Sequence, residues 1–269
     1  MVELFEQDIR KNERQSSKGN QLKWENNGIW YKADFTGYEG LVEYVISHLL
    51  QKSSLSEEEF VVYDLEQIKY RSTVYNGAKS KNFLTDGWQI ITLERLFKNF
   101  FGESLNRAIY SIDDHKARLK FVVEQVERIT GLKDFGIYMG KLFTIDAFFL
   151  NEDRHTHNIA VLMNATGEFA YCPIFDNGAS LLADTTMDYP LGDDVYDMMK
   201  NVKAKTICTS LEEQLDIAEM LYKVDMKFCF NERDINQLLE KATGYGQDAK
   251  YRVKAIICAQ MRKYSYLFQ

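Results

Sequence analysis

Apolar residues recur along this chain with two different periods, and the change from one to the other divides it. Leu22 to Ala33 reads as two short strands around Asn26-Asn27-Gly28, a strong hairpin signal. Gly40 to Leu50 then takes helical spacing, with Leu41, Tyr44, Val45, His48 and Leu49 on one side. Phe60 to Leu65 and Ile68 to Tyr70 read as a further strand pair. The chain thus opens with a small sheet-plus-helix portion that ends between residues 70 and 90.

From Thr92 onward the helical period dominates. Leu93, Leu96, Phe97 and Phe100 share a helix face, residues 115 to 130 form a second helix, and Phe135 to Phe149 form a third that should be largely buried. The polar run Asn151 to Asn158 breaks that apolar stretch. Ile159 to Met163 and Phe169 to Cys172 read as paired strands joined through Asn164-Ala-Thr-Gly167, followed by a loop at Asp176-Asn-Gly178. Periodic segments near 211 to 223, 231 to 243 and 248 to 265 predict further helices. We expect two units: residues 1–90 as a nucleotide-binding lobe and residues 91–269 as a helical catalytic lobe.

Composition narrows the function classes. The chain has 269 residues, 45% of them hydrophobic and 27% charged, enough to fill a core and too apolar for global disorder. A formal net charge of −7 argues against a broadly basic nucleic-acid surface. Cys172, Cys208, Cys229 and Cys258 form no CxxC pair, so a zinc knot is not expected. The charged start Phe5-Glu-Gln-Asp-Ile-Arg10 has no secretory apolar region, and no apolar run approaches a membrane span. A cytoplasmic location is the default, with specialised secretion left open.

Candidate chemistry concentrates in Asn151-Glu-Asp-Arg-His-Thr-His-Asn158 and Phe175-Asp-Asn-Gly178. Phosphoryl transfer needs an oriented hydroxyl nucleophile and neutralised phosphate oxygens. Asp153 can orient or deprotonate the hydroxyl. Asn158 and Asp176 offer the hard oxygen ligands that suit Mg²⁺. Alone, each has an ordinary reading: a helix cap or ion pair for Asp153, an Asx-turn for Asn158, a turn residue for Asp176. Their order around a hydrophobic helix and a hairpin is what points to phosphotransfer. Gly178 would let the backbone turn closely after the metal ligand. His155 is expected to hydrogen-bond within the loop and fix Asp153, rather than to bind zinc with His157. Lys32, at the end of its strand, can neutralise nucleotide phosphates, held by Glu43 or Glu39. Ser16-Ser17-Lys18-Gly19 and Lys23 supply donors and cations that could close over ATP phosphates, although the segment is neither a Walker A motif nor a glycine triplet.

Taken together, Asn151-x-Asp-Arg-His-x-x-Asn158, Phe175-Asp-Asn-Gly178, Lys32 and Glu43-Tyr44 resemble the HipA-like serine/threonine kinase family. The catalytic core also resembles that of phosphatidylinositol 3/4-kinases. The resemblance implies an α+β, two-lobed protein-kinase-like fold with a small sheet-containing N-lobe and a mostly helical C-lobe. It further implies Asp153 as catalytic base, Asn158 and Asp176 as Mg²⁺ ligands, and Lys32 as an ATP phosphate contact between the lobes. Lys23 matches the end of the nucleotide loop, in which Ser16 or Ser17 is a candidate for self-phosphorylation. The chain is more compact than full-length members, and we expect no counterpart of their additional N-terminal domain. The expected reaction is ATP- and Mg-dependent phosphorylation of serine or threonine on a protein substrate. The alternatives are a lipid or small-molecule kinase and a noncatalytic kinase-like binding module.

Overall fold

The computed structural model describes residues 1–9 and 21–269. In chain order the elements are β1 (Val2–Leu4), β2 (Lys23–Asn26), β3 (Ile29–Ala33), α1 (Glu39–Leu50), β4 (Asp64–Tyr70), β5 (Thr73–Lys81), β6 (Trp88–Thr92), α2 (Leu93–Phe101) and α3 (Leu105–Tyr110). There follow α4 (His115–Thr130), α5 (Phe135–Phe149), β7 (Ala160–Asn164), β8 (Phe169–Tyr171), α6 (Val195–Asn201), α7 (Leu211–Tyr222), α8 (Glu232–Lys241) and α9 (Gln247–Lys263). The architecture is α+β and two-lobed. One unit comprises Met1–Phe83, Phe175–Asn201 and Lys227–Gln269; the other comprises Leu84–Ile174 and Val202–Met226.

The first unit is built on a five-stranded sheet in the order β1-β4-β5-β3-β2. β1 lies parallel to β4 and the remaining pairs are antiparallel. The β2–β3 hairpin turns where Asn-Gly predicts, with Asn27 (φ 51°) and Gly28 (φ 74°) both left-handed. Leu4, Trp24, Tyr31, Ala33, Ile68 and Tyr70 form the core on one face of the sheet. Strand alternation sends Lys32, between Tyr31 and Ala33, to the opposite face. There α1 approaches closely because two glycines meet: a Cβ on Gly40 would lie 2.6 Å from the Gly77 carbonyl carbon. Gly77 is itself tight against β3, since a Cβ there would stand 2.1 Å from the Lys32 carbonyl oxygen. Glu43 lies three residues beyond Gly40, on the same side of α1, and so faces the sheet.

One predicted strand pair is wrong. Val61 to Tyr63 run as irregular backbone, and Leu65 and Ile68 belong to the single strand β4. The partner of β4 is β5, reached through a tight turn at Arg71 (φ 54°). β5 contains Asn76 and Gly77, residues poor in intrinsic strand preference, and it forms because β4 and β3 hydrogen-bond to it on both sides. Val61 and Tyr63 instead bury against Ala78 of β5, with Phe83 and Phe175 packed alongside.

The second unit surrounds α5, whose apolar residues occupy every side: Phe135, Met139, Leu142, Phe143, Ile145, Phe148 and Phe149 are all buried. The helix stops at Leu150, a left-handed residue (φ 57°) whose N–H donates to the Asp146 carbonyl. That turn directs the chain into the polar loop 151–158. The loop leads into the three-stranded sheet β6-β7-β8, in which both pairs are antiparallel. β7 and β8 form the predicted hairpin, and Thr92 caps α2 by accepting the Arg95 N–H at 3.3 Å.

Candidate functional site

In the first unit, Lys32 is the centre of a partly buried charge cluster. Its ammonium donates to Glu43 Oε1 at 2.7 Å and to Asp176 Oδ1 at 2.7 Å, and it lies 3.4 Å from the Tyr63 hydroxyl. Of the two acidic partners foreseen for Lys32, the structure selects Glu43. Glu39 instead turns back to accept the N–H groups of Phe35, Thr36 and Gly37. The second Glu43 oxygen accepts the Asn177 N–H at 3.0 Å, so one carboxylate holds both the strand lysine and the loop after Asp176.

Asp176 reaches Lys32 from a left-handed backbone (φ 62°). This corrects the expectation for Gly178: the unusual backbone in this loop belongs to Asp176, and Gly178 is not left-handed. A Cβ at Gly178 would meet Glu39 Cβ at an ordinary 3.4 Å. Lys23 sits directly opposite Lys32 in the β2–β3 register. Two like charges so placed repel. Asp176 relieves this, with its Oδ2 at 3.9 Å from the Lys23 ammonium. Burial works against the charge on Lys32, but the Asp176 and Glu43 carboxylates outweigh it and hold its pKa well above the ordinary lysine value. Burial likewise pushes the Tyr63 hydroxyl well up, so it stays protonated beside the cluster.

In the second unit, the loop 151–158 is cross-linked from within. Asn151 Oδ1 accepts the Asp153 N–H at 3.0 Å, and Asn158 Nδ2 donates to the Asp153 carbonyl at 2.8 Å and to Asp153 Oδ2 at 3.1 Å. His155 Nε2 lies 3.8 Å from Asp153 Oδ1, while its Nδ1 accepts the His157 N–H at 3.2 Å. Burial lowers the His155 pKa, with Asp153 acting in the opposite direction. The neutral ring therefore carries its proton on Nε2, facing the carboxylate.

Sequence allowed Arg154 either a carboxylate partner or a place facing substrate, and the structure gives it the carboxylate of Asp146; Asp146 and Lys205 were assigned no role from sequence. Arg154 is buried and its Nε donates to both oxygens of Asp146, at 3.2 and 3.1 Å, while Asn151 Nδ2 donates to Asp146 Oδ1 at 3.0 Å. Burial raises the Asp146 pKa to about 6 against the opposing pull of Arg154. Asp146 lies within the apolar helix α5, and a lone acid in such a run was the available signal. Lys205 brings its ammonium to 3.6 Å from Asp153 Oδ1. It lies 52 positions after Asp153 in sequence, with no motif around it. Tyr63 had no chemical spacing to mark it.

The sequence-predicted residues thus form two groups, each within one unit: Lys23, Lys32, Glu43 and Asp176 in the first, and Asp153, His155 and Asn158 in the second. Ser16, Ser17, Lys18 and Gly19 lie outside the described residues. Away from both groups, His115, Cys208 and Glu213 bring three metal-donor atoms within 4.8 Å of one another. In that cluster His115 Nδ1 and Glu213 Oε1 hydrogen-bond at 2.6 Å, and Cys208 Sγ donates to the Ser210 carbonyl at 3.2 Å.

Chemically, the first group can balance anionic oxygens with two lysines, and the second can accept a proton from a hydroxyl. The donor types fit magnesium. The Asn158 amide nitrogen is committed to Asp153, so its hard oxygen donor in the second unit is the amide oxygen, and Asp176 has a carboxylate in the first.

The chain matches no protein-family model and no curated protein. Among solved structures it is similar to the Helicobacter pylori proinflammatory kinase CtkA, with a TM-score of 0.58 and 15% identity over 97% of this chain and 94% of that one. A complex of Shewanella oneidensis MR-1 HipA, HipB and operator DNA also matches, at a TM-score of 0.42 and 13% identity, over 97% of this chain and 63% of that one. The second likeness is too distant to carry an argument. The first shows a kinase-like fold and nothing finer. No helix among the described residues is long and apolar enough to cross a membrane.

Proposed function

We propose that this chain is a HipA-like, ATP- and magnesium-dependent phosphotransferase that acts on serine or threonine of a protein. The observation that carries the reading is Lys32. A largely enclosed ammonium shared between two carboxylates, one of them fully buried, costs desolvation that packing alone would not require. In a phosphotransferase the same ammonium has an anionic ligand to meet. The kinase-like likeness to CtkA supports the same reading at the level of fold.

In this reading Lys32 and Lys23 contact ATP phosphates, and Glu43 fixes the direction of the Lys32 ammonium. Asp153 takes the acceptor proton. As the acceptor oxygen forms its bond to the γ-phosphorus, the bond from that phosphorus to the bridging oxygen breaks. ADP departs and the hydroxyl proton resides on the Asp153 carboxylate. Asn158 keeps Oδ2 of that carboxylate oriented, and His155 lies beside Oδ1. Asn158 and Asp176 are assigned to hold Mg²⁺, which when bound with ATP neutralises phosphate charge.

The test is incubation of the purified protein with Mg²⁺ and γ-labelled ATP, with and without a host-cell lysate, followed by separation of protein, lipid and small-molecule fractions. Label in protein, stable as a phosphoserine or phosphothreonine ester, is the expected result. Label confined to lipid or small molecules would replace the protein acceptor with another. No Mg-dependent transfer to any fraction would overturn the phosphotransferase reading.

A further inference from the structure

Lys205 has no place in any motif of the sequence, yet its surroundings hold it at Asp153. Its ammonium is 3.6 Å from Asp153 Oδ1, and its side chain remains 45% exposed. An exposed lysine near a carboxylate is ordinarily worth little, because its long side chain wanders. Here the backbone on which it stands is pinned. The next residue, Thr206, is buried and its hydroxyl donates to the carbonyl of Arg154, the residue after Asp153. The Ile207 N–H donates to the buried Gln214 side chain at 3.0 Å, and the Ile207 carbonyl accepts from Arg118 Nη1 at 2.8 Å. Ala204, on the other side, is buried and its N–H donates to the Thr209 carbonyl at 3.1 Å. The segment 204–209 is therefore a small closed loop, locked to the Asp153 loop through one direct hydrogen bond.

The charges around Asp153 are divided. Oδ2 is occupied by the neutral Asn158 amide. Oδ1 faces His155 and Lys205.

We propose that Lys205 is a phosphate-stabilising residue: its ammonium, held beside Asp153 by the Thr206–Arg154 hydrogen bond, neutralises oxygens of the phosphoryl group in transfer. The inference rests on the phosphotransferase reading above. A hydroxyl aligned by Asp153 attacks a phosphorus only a few ångströms away, so a cation on Asp153 is within reach of the phosphoryl oxygens at the point where charge shifts. Lys32 meets the nucleotide before and after transfer. Lys205 acts where the chemistry occurs, so its removal slows turnover without loosening ATP.

The test compares wild type, Lys205→Ala and Lys205→Arg for kcat and for KM towards Mg-ATP, with thermal melting as a check on folding. Removal of one preorganised charge donor at a transition state costs about 100-fold or more in kcat. The expected result is a fall of that order for Lys205→Ala, an ATP KM within about threefold of wild type, recovery of most of the loss in Lys205→Arg, and unchanged melting. A purely structural lysine would lower melting and give no such split between kcat and KM. Wild-type kcat in Lys205→Ala overturns the inference and leaves the phosphotransferase reading standing, as does a change confined to KM. Absence of transfer by wild type overturns both.

Discussion

The ammonium of Lys32 and the carboxylate of Asp176 are 144 positions apart in sequence and meet at 2.7 Å. Glu43 shares the same ammonium at 2.7 Å, so a β-strand, a helix and a loop converge on one partly buried positive charge. The cluster links the fold of the first unit to its chemistry, because the residues that close the loop onto the sheet are those assigned to nucleotide and metal.

Replacing Lys32 by Met should therefore affect stability and binding together. It leaves Glu43, 2% exposed at its side chain, without its cation. Breaking a buried pair from one side costs about 3–5 kcal/mol. Urea unfolding should show a loss of that order, and titration calorimetry should show weakened Mg-ATP binding. A variant with wild-type stability and affinity would mean the cluster is dispensable to both.

Arg154→Ala should be destabilising in a pH-dependent way. Arg154 and Asp146 have side-chain exposures of 3% and 0%. Loss of the guanidinium strands a buried carboxylate, at a cost of about 3–5 kcal/mol near neutral pH. The Asp146 pKa is already raised to about 6 by burial, and without Arg154 it rises further. At pH 5 the carboxyl carries a proton and the penalty shrinks. Unfolding free energies of wild type and variant at pH 5 and pH 7.5 should differ by less at the lower pH; an equal difference would place the cost elsewhere.

Asp34 gives a second pH signature. Its carboxylate accepts the Gly40 N–H at 2.6 Å at the start of α1, and burial raises its pKa to about 7. The folded state thus binds a proton between pH 3.8 and about 7 that the unfolded state has released. The contribution of this group to stability falls as pH rises through that window and stays low above it. Asp34→Asn keeps an oxygen acceptor and cannot ionise. Its melting temperature relative to wild type should rise from pH 4 to pH 7 and then level off. A constant offset across that range would contradict the assignment.

Much of this architecture is legible in sequence where local signals agree with tertiary packing. Asn27-Gly28 names its own hairpin turn, and the apolar run of α5 has nowhere to go but the interior. The spacing of Asp153, His155 and Asn158 puts them in one short loop, so their mutual contacts follow from proximity. β5 was missed because its stability comes from strands on both sides rather than from its own residues. The Gly40–Gly77 approach and the Asp176–Lys32 pair are products of folding that no local pattern encodes. Lys205 was invisible for the same reason: its place is set by the hydrogen bonds that its neighbours Ala204, Thr206 and Ile207 make to Thr209, Arg154 and Gln214. The likeness to CtkA supports the kinase-like fold without assigning any of these residues a role.

The central claim is that Asp153 is the group at which the acceptor hydroxyl loses its proton, and it is tested most directly by measuring Asp153→Asn for both γ-phosphoryl transfer and Mg-ATP affinity. The account predicts transfer reduced by about 100- to 10,000-fold, the range for loss of a general base, with Mg-ATP affinity close to wild type. Transfer at the wild-type rate in a folded Asp153→Asn protein would contradict it.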